Sequence, residues 1–325
     1  ETEAQVTRIL FEGKRAVGVA YVQRGVNKEA RAGEVILSGG AINSPQLLQL
    51  SGIGPGALLQ SLGLPVLHDN ANVGARMQDH HGINYTWRMK VPTLNDELRP
   101  WWGKLKAGIE YLLLRTGPLS LSINQGGGFF RTHPEMTRPN MQLYMQAFST
   151  LIPKANERPI LNPDPFSGLS LGLSNCRPTS TGEVMIKSPD PLVHPRISFN
   201  AFSTNSDVEE MLAAVKFLRV IASHEPLKSL MAEELRPGPE VMTDEAMIHD
   251  FKQRSGTVYH HSCTCRMGPD AATSVVDPRL KVHGVEGLRV CDASVFPNLI
   301  AGNTNAPAMM VGWKGAEIIL ADARG

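Results

Sequence analysis

Cysteine is scarce in this chain, with four in 325 residues, too few to staple a protein of this size with disulfides. Cys176 and Cys291 stand alone in the sequence and read as core thiols. Cys263 and Cys265 are separated by a single residue, too close to bridge each other comfortably. So few thiols fit a reducing compartment, which favours the cytoplasm. Long apolar runs are lacking too. The most apolar stretches, such as Val35–Leu37 and Ala306–Val311, fall far short of the ~20 residues of a membrane span. Neither sign of charge dominates: 32 Lys and Arg against 31 Asp and Glu leave a formal charge of +1. Without a run of like charges, the sequence gives no electrostatic case for nucleic acid or an anionic membrane as partner. An initiator Met and a signal peptide are also missing. Val6–Leu10 already reads as part of a strand, so residue 1 is not expected to be a natural start.

What remains is ordinary globular material, 42% apolar and 19% charged, long enough for two domains and a substantial core. Gln5–Phe11 and Ala16–Gln23 read as strands joined by a turn at Glu12-Gly13-Lys14. A third strand, Glu34–Leu37, runs into Ser38-Gly39-Gly40, and a helix is expected from Ser44, with Pro45 in its first turn. Strand, glycine turn and helix make half of a βαβ unit, whose turn can bring a helix N-terminus to a phosphate. The same pattern also serves plain αβ connections. From His81 the texture changes. Lys104–Leu114 reads as a helix stopped by Thr116-Gly117-Pro118, and Leu151–Pro165 as a surface loop. Glu183–Ser188 and Arg196–Asn200 read as strands. Asp207–Ser223 carries apolar residues at helical spacing, and Thr243 caps a further helix. The last seventy or so residues return to α/β texture. There Leu288–Cys291 is a short strand, and Asn303-Thr304-Asn305-Ala306-Pro307 opens a helix through Ile319. The pattern predicts one domain formed from residues 1–80 and 255–325, with residues 81–254 inserted as a second.

Two clusters can carry chemistry. Tyr259-His260-His261-Ser262-Cys263-Thr264-Cys265-Arg266-Met267-Gly268 invites a zinc reading. All four ligands of a zinc site seldom come from one six-residue stretch, however, and no metal is expected. One His serving as a general base is the alternative, because imidazole titrates near neutrality. Neighbours in an extended segment point opposite ways, so His261 is expected to be structural. The second cluster is Asp292-Ala293-Ser294 followed by the helix opening at Asn303. An acidic residue at a strand's C-terminal end suits a nucleotide crevice, and a helix N-terminus suits a developing anion. Trp87, Trp101, Trp102 and Tyr259 together could cage a quaternary ammonium, although scattered aromatics more often serve a core.

Taken in order, three segments resemble the glucose–methanol–choline (GMC) oxidoreductases. Gly40-Ala41-Ile42-Asn43-Ser44-Pro45-Gln46-Leu47-Leu48-Gln49-Leu50-Ser51-Gly52-Ile53-Gly54 fits the family's second signature. Tyr259 through Gly268 is similar to its His-Pro-x-Gly-Thr-Cys-x-Met-Gly stretch. Leu288 through Pro297 with Gly302 through Pro307 is the third, and Asn72-Val73-Gly74 with Gln78-Asp79-His80 adds a weaker match. The resemblance implies a partial FAD-binding domain of α/β type built from both ends of the chain. The inserted substrate domain would be α+β, an antiparallel sheet with helices. It implies FAD-dependent oxidation of an alcohol to an aldehyde or ketone by hydride transfer to flavin N5, with His260 as base and Asn303 orienting the substrate oxygen. Asp292, Ala293, Asn303, Thr304, Asn305 and Ala306 would lie along the flavin, and the backbone of Val6 by the adenine.

Two departures stand out: His261 replaces the usual proline, and Cys263 a common glycine. Ser262-Cys263-Thr264-Cys265 is similar to the choline dehydrogenases of the family. The family's N-terminal Gly-x-Gly-x-x-Gly loop is absent, and Gly126-Gly127-Gly128 follows no strand-to-helix pattern that could replace it. An N-terminal half, as a separate chain or a missing piece, is therefore the expected partner. Rival readings are a lyase or light-driven decarboxylase on the same fold, a metal-binding module, and a fragment without activity.

Overall fold

The computed structural model describes residues 1–151 and 162–324, so most of the loop expected at 151–165 lies outside it. The chain forms two compact units, each mixed in α and β. One comprises Glu1–His80, Arg177–Ser203 and Tyr259–Gly325, the other His81–Cys176 and Thr204–Val258. Residues 177–203, read from sequence as part of the insertion, belong to the first unit because the strand Gly182–Met185 pairs with Ala75–Met77.

The first unit opens with an antiparallel sheet of Ala4–Glu12, Arg15–Gln23 and Val26–Arg31. The strand at Val26–Arg31 escapes sequence reading because all six of its residues are exposed and no apolar alternation marks it. Its turn explains it. Arg24 and Gly25 both take positive φ, 52° and 77°, the geometry that matches the twist of a two-residue hairpin.

A parallel pair follows, Val35–Leu37 with Leu288–Val290, continued by Cys291 N–H donating to the Leu37 carbonyl at 2.8 Å. The next helix runs Gly40–Leu50, four residues earlier than its proline suggests. Its cap comes from across the chain. Asp292 Oδ2 accepts from Gly40 N–H at 2.9 Å and from the Ser44 hydroxyl at 2.6 Å. Pro45 lies inside the helix and cannot donate to the Ala41 carbonyl. The Thr264 hydroxyl donates to that oxygen instead, at 2.7 Å.

Gln49, fully buried, ties the helix to Gly182–Met185 and its continuation. Its amide donates to the Val184 carbonyl at 2.9 Å, and its carbonyl accepts from Ile186 N–H at 2.8 Å. Gly74 passes beneath at φ +80°, where a Cβ would meet the Val184 oxygen at 2.1 Å, so only glycine fits. The core gathers Leu48, Ile53, Val73, Val275, Val276 and Val290 with the thiols of Cys263 and Cys265. The long helix Asn305–Asp322 is anchored at its end by Arg289. The guanidinium, its side chain 2% exposed, donates to Glu34 at 2.8 Å and to Asp322 at 2.7 Å.

The second unit is built on an antiparallel sheet ordered Met231–Arg236, His81–Met89, Gly168–Asn175, Met141–Gln146, Gly126–Phe130, with Gly256–Thr257 also pairing with His81–Met89. Gly126–Gly128 is thus a strand. All eight residues of Gly168–Asn175 are buried, as a central strand requires. The helix Asn205–Ala222, capped by Thr204, buries Met211, Val215 and Leu218, and Asp244–Arg254, capped by Thr243, buries Met247 and Phe251. Cys176 is a buried core thiol, as its isolation in sequence predicts.

Candidate active site

The site is built around Gln78-Asp79-His80, which leads out of the strand Ala75–Met77. Gln78 exchanges both backbone hydrogen bonds with Ser262, at 3.2 and 3.0 Å. Its side-chain oxygen accepts from Leu299 N–H at 2.9 Å, and its amide donates to the Pro178 carbonyl at 2.7 Å. One residue thus holds the segment after His260 and the segment before Asn303. A second ladder joins the same regions: Cys263, Cys265 and Met267 donate to the carbonyls of Ala293, Ser294 and Val295.

His260 is half-buried. Its backbone N–H donates to Asp79 Oδ1 at 2.9 Å, and its Nδ1 lies 2.8 Å from Nδ1 of the buried His80, the rings meeting edge-on at 85°. Burial lowers the imidazole's pKa; the Asp79 carboxylate opposes the shift and His261 adds to it. The net displacement is downward from 6.5, so His260 is largely neutral at neutral pH and able to accept a proton. His261 turns elsewhere. Its ring lies tilted at 38° to that of Phe199, the centroids 5.4 Å apart, and its Nε2 is 3.8 Å from Asp79 Oδ2.

The two thiols of the cluster are core groups. Cys263 and Cys265 are buried, which pushes the first up to about 11 and holds the second well above its usual range. Among the described residues, no three of His, Cys, Asp and Glu are arranged to hold an ion.

Asp292 is spent largely on the protein. Besides Gly40 and Ser44 it accepts from Ser294 N–H at 2.7 Å, so its carboxylate fixes the glycine turn and its own segment together. The Ala293 carbonyl accepts from the His260 segment, through Cys263 N–H at 3.4 Å. Asn303 follows Gly302 (φ +117°) and is exposed. Thr304 occupies the cap position of the helix Asn305–Asp322 without a side-chain cap, and Asn305 and Ala306 are exposed in its first turn. A helix start without a side-chain cap can offer its backbone N–H groups to a bound anion. Val6 sits at an irregularity in its strand pairing and lines a cleft of about 570 Å³, with Val19, Val35, Leu37 and Leu47 among the walls.

Of the four aromatics weighed as a cage or as core, only Trp87 is buried. Trp87 is buried beside Tyr85, at a ring distance of 6.2 Å, whereas Trp101 and Trp102 are exposed on a helix and Tyr259 is exposed ahead of His260. Sequence reasoning gave Asp79 and His80 no role of their own. Their only signal was the weak match of the Gln-Asp-His run.

Family models for GMC oxidoreductases match this chain over residues 1–82, with the N-terminal model, and 178–312, with the C-terminal one. The chain belongs to the GMC oxidoreductase family. It is 38% identical to an alcohol dehydrogenase [acceptor] of Pseudomonas putida, over 98% of this chain and 57% of that protein. It is 40% identical to the mitochondrial choline dehydrogenase of Homo sapiens, over 98% of this chain and 53% of that one. Among solved structures it superposes on a formate oxidase with a TM-score of 0.90 at 28% identity, covering 99% of this chain and 60% of the other. A fungal aryl-alcohol oxidase gives 0.83 at 27% identity, with 99% and 61% covered. The chain therefore spans little more than half the length of these relatives.

Proposed function

We propose that this chain supplies the base, the substrate-orienting amide and part of the cofactor wall of an FAD-dependent enzyme that oxidises an alcohol to an aldehyde or ketone. The carrying observation is the setting of His260: a half-buried imidazole whose pKa is lowered and whose Nδ1 is engaged by His80. With Nδ1 held, Nε2 is the nitrogen left for a substrate. When His260 Nδ1–H donates to His80, the lone pair on Nε2 takes the hydroxyl proton of the alcohol. The Asn303 amide donates to the same oxygen and turns the carbon. Base catalysis of this kind contributes roughly 10²–10⁴-fold.

The residues present fit a flavin. The helix Asn305–Asp322 begins with no side-chain cap, so its first-turn donors, Thr304 to Ala306, suit the anionic side of a reduced ring. Val6 would meet the adenine, and Ala293 would line the ring, positioned by Asp292. Bound there, FAD supplies the hydride acceptor. A formate oxidase of Aspergillus oryzae among the structural relatives carries FAD.

A complete site needs an N-terminal part beyond this chain. Two features of the first unit support such a partner: Trp313, 75% exposed, with Met309 and Met310 on the long helix, and Ile36 exposed on the parallel pair. Anaerobic mixing of the whole protein with a panel of alcohols tests the proposal. Its flavin absorbance should bleach in the dark, and His260→Ala should slow bleaching at least 100-fold. Unchanged bleaching in that variant would remove His260 from the role, and bleaching by no alcohol would favour a lyase or decarboxylase.

A further inference from the structure

The helix Trp101–Leu114 of the second unit is inside out for a globular protein. The residues it buries fully are the small ones, Gly103 and Ala107. At Gly103 a Cβ would lie 1.8 Å from the Glu97 carbonyl oxygen, so this side is pressed against the chain before it. Trp101, Trp102, Leu105, Ile109, Leu112 and Leu113 all face solvent, the first 72% and the last 76% exposed. Positions 102, 105, 109 and 113 recur at helical spacing, so they form one stripe. Leu119 and Leu121 continue the exposed apolar surface beyond the helix. Beneath it lies an apolar cavity of about 240 Å³, walled by Leu98, Ala107, Leu121, Ile123 and Phe148.

The charges around this stripe choose its occupant. Residues 101–125 hold Lys104, Lys106 and Arg115 against Glu110, three positive and one negative, a net of two positive charges in a chain whose total is +1. The near-neutral total hides this concentration. Glu110 is engaged locally by the Thr116 hydroxyl at 3.1 Å, and the Arg115 guanidinium stacks over Tyr111 at 5.1 Å. Protein interfaces are depleted in lysine, whereas helices that lie in a bilayer surface combine Trp and Leu with Lys and Arg. A helix of 14 residues is about 21 Å long, too short for the ~30 Å core of a membrane. It would lie in the plane of the surface.

We propose that Trp101–Leu114 and the segment following it dock the protein on an anionic lipid bilayer, with the tryptophans and leucines in the acyl boundary and the basic side chains at the headgroups. This is independent of the redox proposal.

The test is cosedimentation of the whole flavin-loaded protein with phosphatidylcholine vesicles, with and without phosphatidylglycerol. It should pellet with the anionic vesicles, much less with the neutral ones, and be released by salt, while its tryptophan emission shifts to the blue. Lys104→Gln/Lys106→Gln/Arg115→Gln should weaken binding roughly 100-fold at low salt. Trp102→Glu/Leu113→Glu should weaken it at least as much, because two apolar anchors are lost. These side chains are exposed, and circular dichroism verifies folding. If the apolar variant fails to fold, the charge variant decides alone. No pelleting with any vesicle, or pelleting unchanged by the variants, overturns the proposal. So does a change of oligomeric state in the variants without lipid, which would assign the face to a second copy of the protein.

Discussion

Cys263 stands where the resemblance to the family leads one to expect glycine, and its φ of +72° is one that glycine adopts without strain. Holding a side chain in the left-handed region costs about 1–2 kcal/mol. The thiol recovers part of that by being buried, with Sγ near the Ser262 hydroxyl at 3.3 Å. Cys263→Gly should therefore change stability by no more than about 1 kcal/mol, whereas the β-branched Cys263→Val should cost about 2 kcal/mol or more. Thermal unfolding of both variants checks the contrast. At His260 the prediction concerns pH. Its pKa is held below 6.5, mainly by burial, and Asp79 pulls it upward. The base works when neutral, so kcat/KM of the whole enzyme should fall only as pH drops below 6.5. Removing the carboxylate in Asp79→Asn should move that acid limb lower still. A limb that stays put or rises would contradict the geometry of this pair. His80→Ala should lower kcat roughly 10²-fold, and His80→Asn, whose side-chain oxygen can accept the same Nδ1 proton, should recover much of it.

At the scale of elements, the helix Gly40–Leu50 shows how far local sequence carries. Its existence was legible from the leucine spacing and the glycine turn. Its start was not, because the cap is Asp292 and the partner of the carbonyl freed by Pro45 is Thr264, both more than 200 positions away. Thr264→Val keeps the shape and removes the hydroxyl, leaving the Ala41 oxygen without this donor. A loss of about 1–3 kcal/mol in chemical unfolding is expected. The strand Val26–Arg31 was illegible for a different reason: exposed on both faces, it carries no apolar period. The site was legible in part. The segments of His260 and Asn303 stood out through their order along the chain. The clamp of Gln78 and the pairing of His80 with His260 depend on contacts across about 180 positions or more. No window of sequence displays such contacts. The places of the aromatics were not legible either, because equal residue types, here Trp87 and Trp101, hold opposite ones, Trp87 in a sheet core and Trp101 in solvent.

For the whole molecule, the exposed Ile36, Met309, Met310 and Trp313 and the open cleft by Val6 define how the chain should behave alone. Produced without the remaining part, it should purify without stoichiometric flavin. Produced with it, the two should copurify as a yellow complex, which absorbance and native mass spectrometry would both register. A colourless complex would count against the cofactor wall proposed here. The parallel pairing of Val35–Leu37 with Leu288–Val290 bears on biosynthesis. Ser38 and Cys291, which extend the two strands and meet through a hydrogen bond, are 253 residues apart. During translation the edge of Val35–Leu37 that pairs with Leu288–Val290 must wait until that late strand leaves the ribosome. In the interval the waiting apolar edge is a natural target for chaperones.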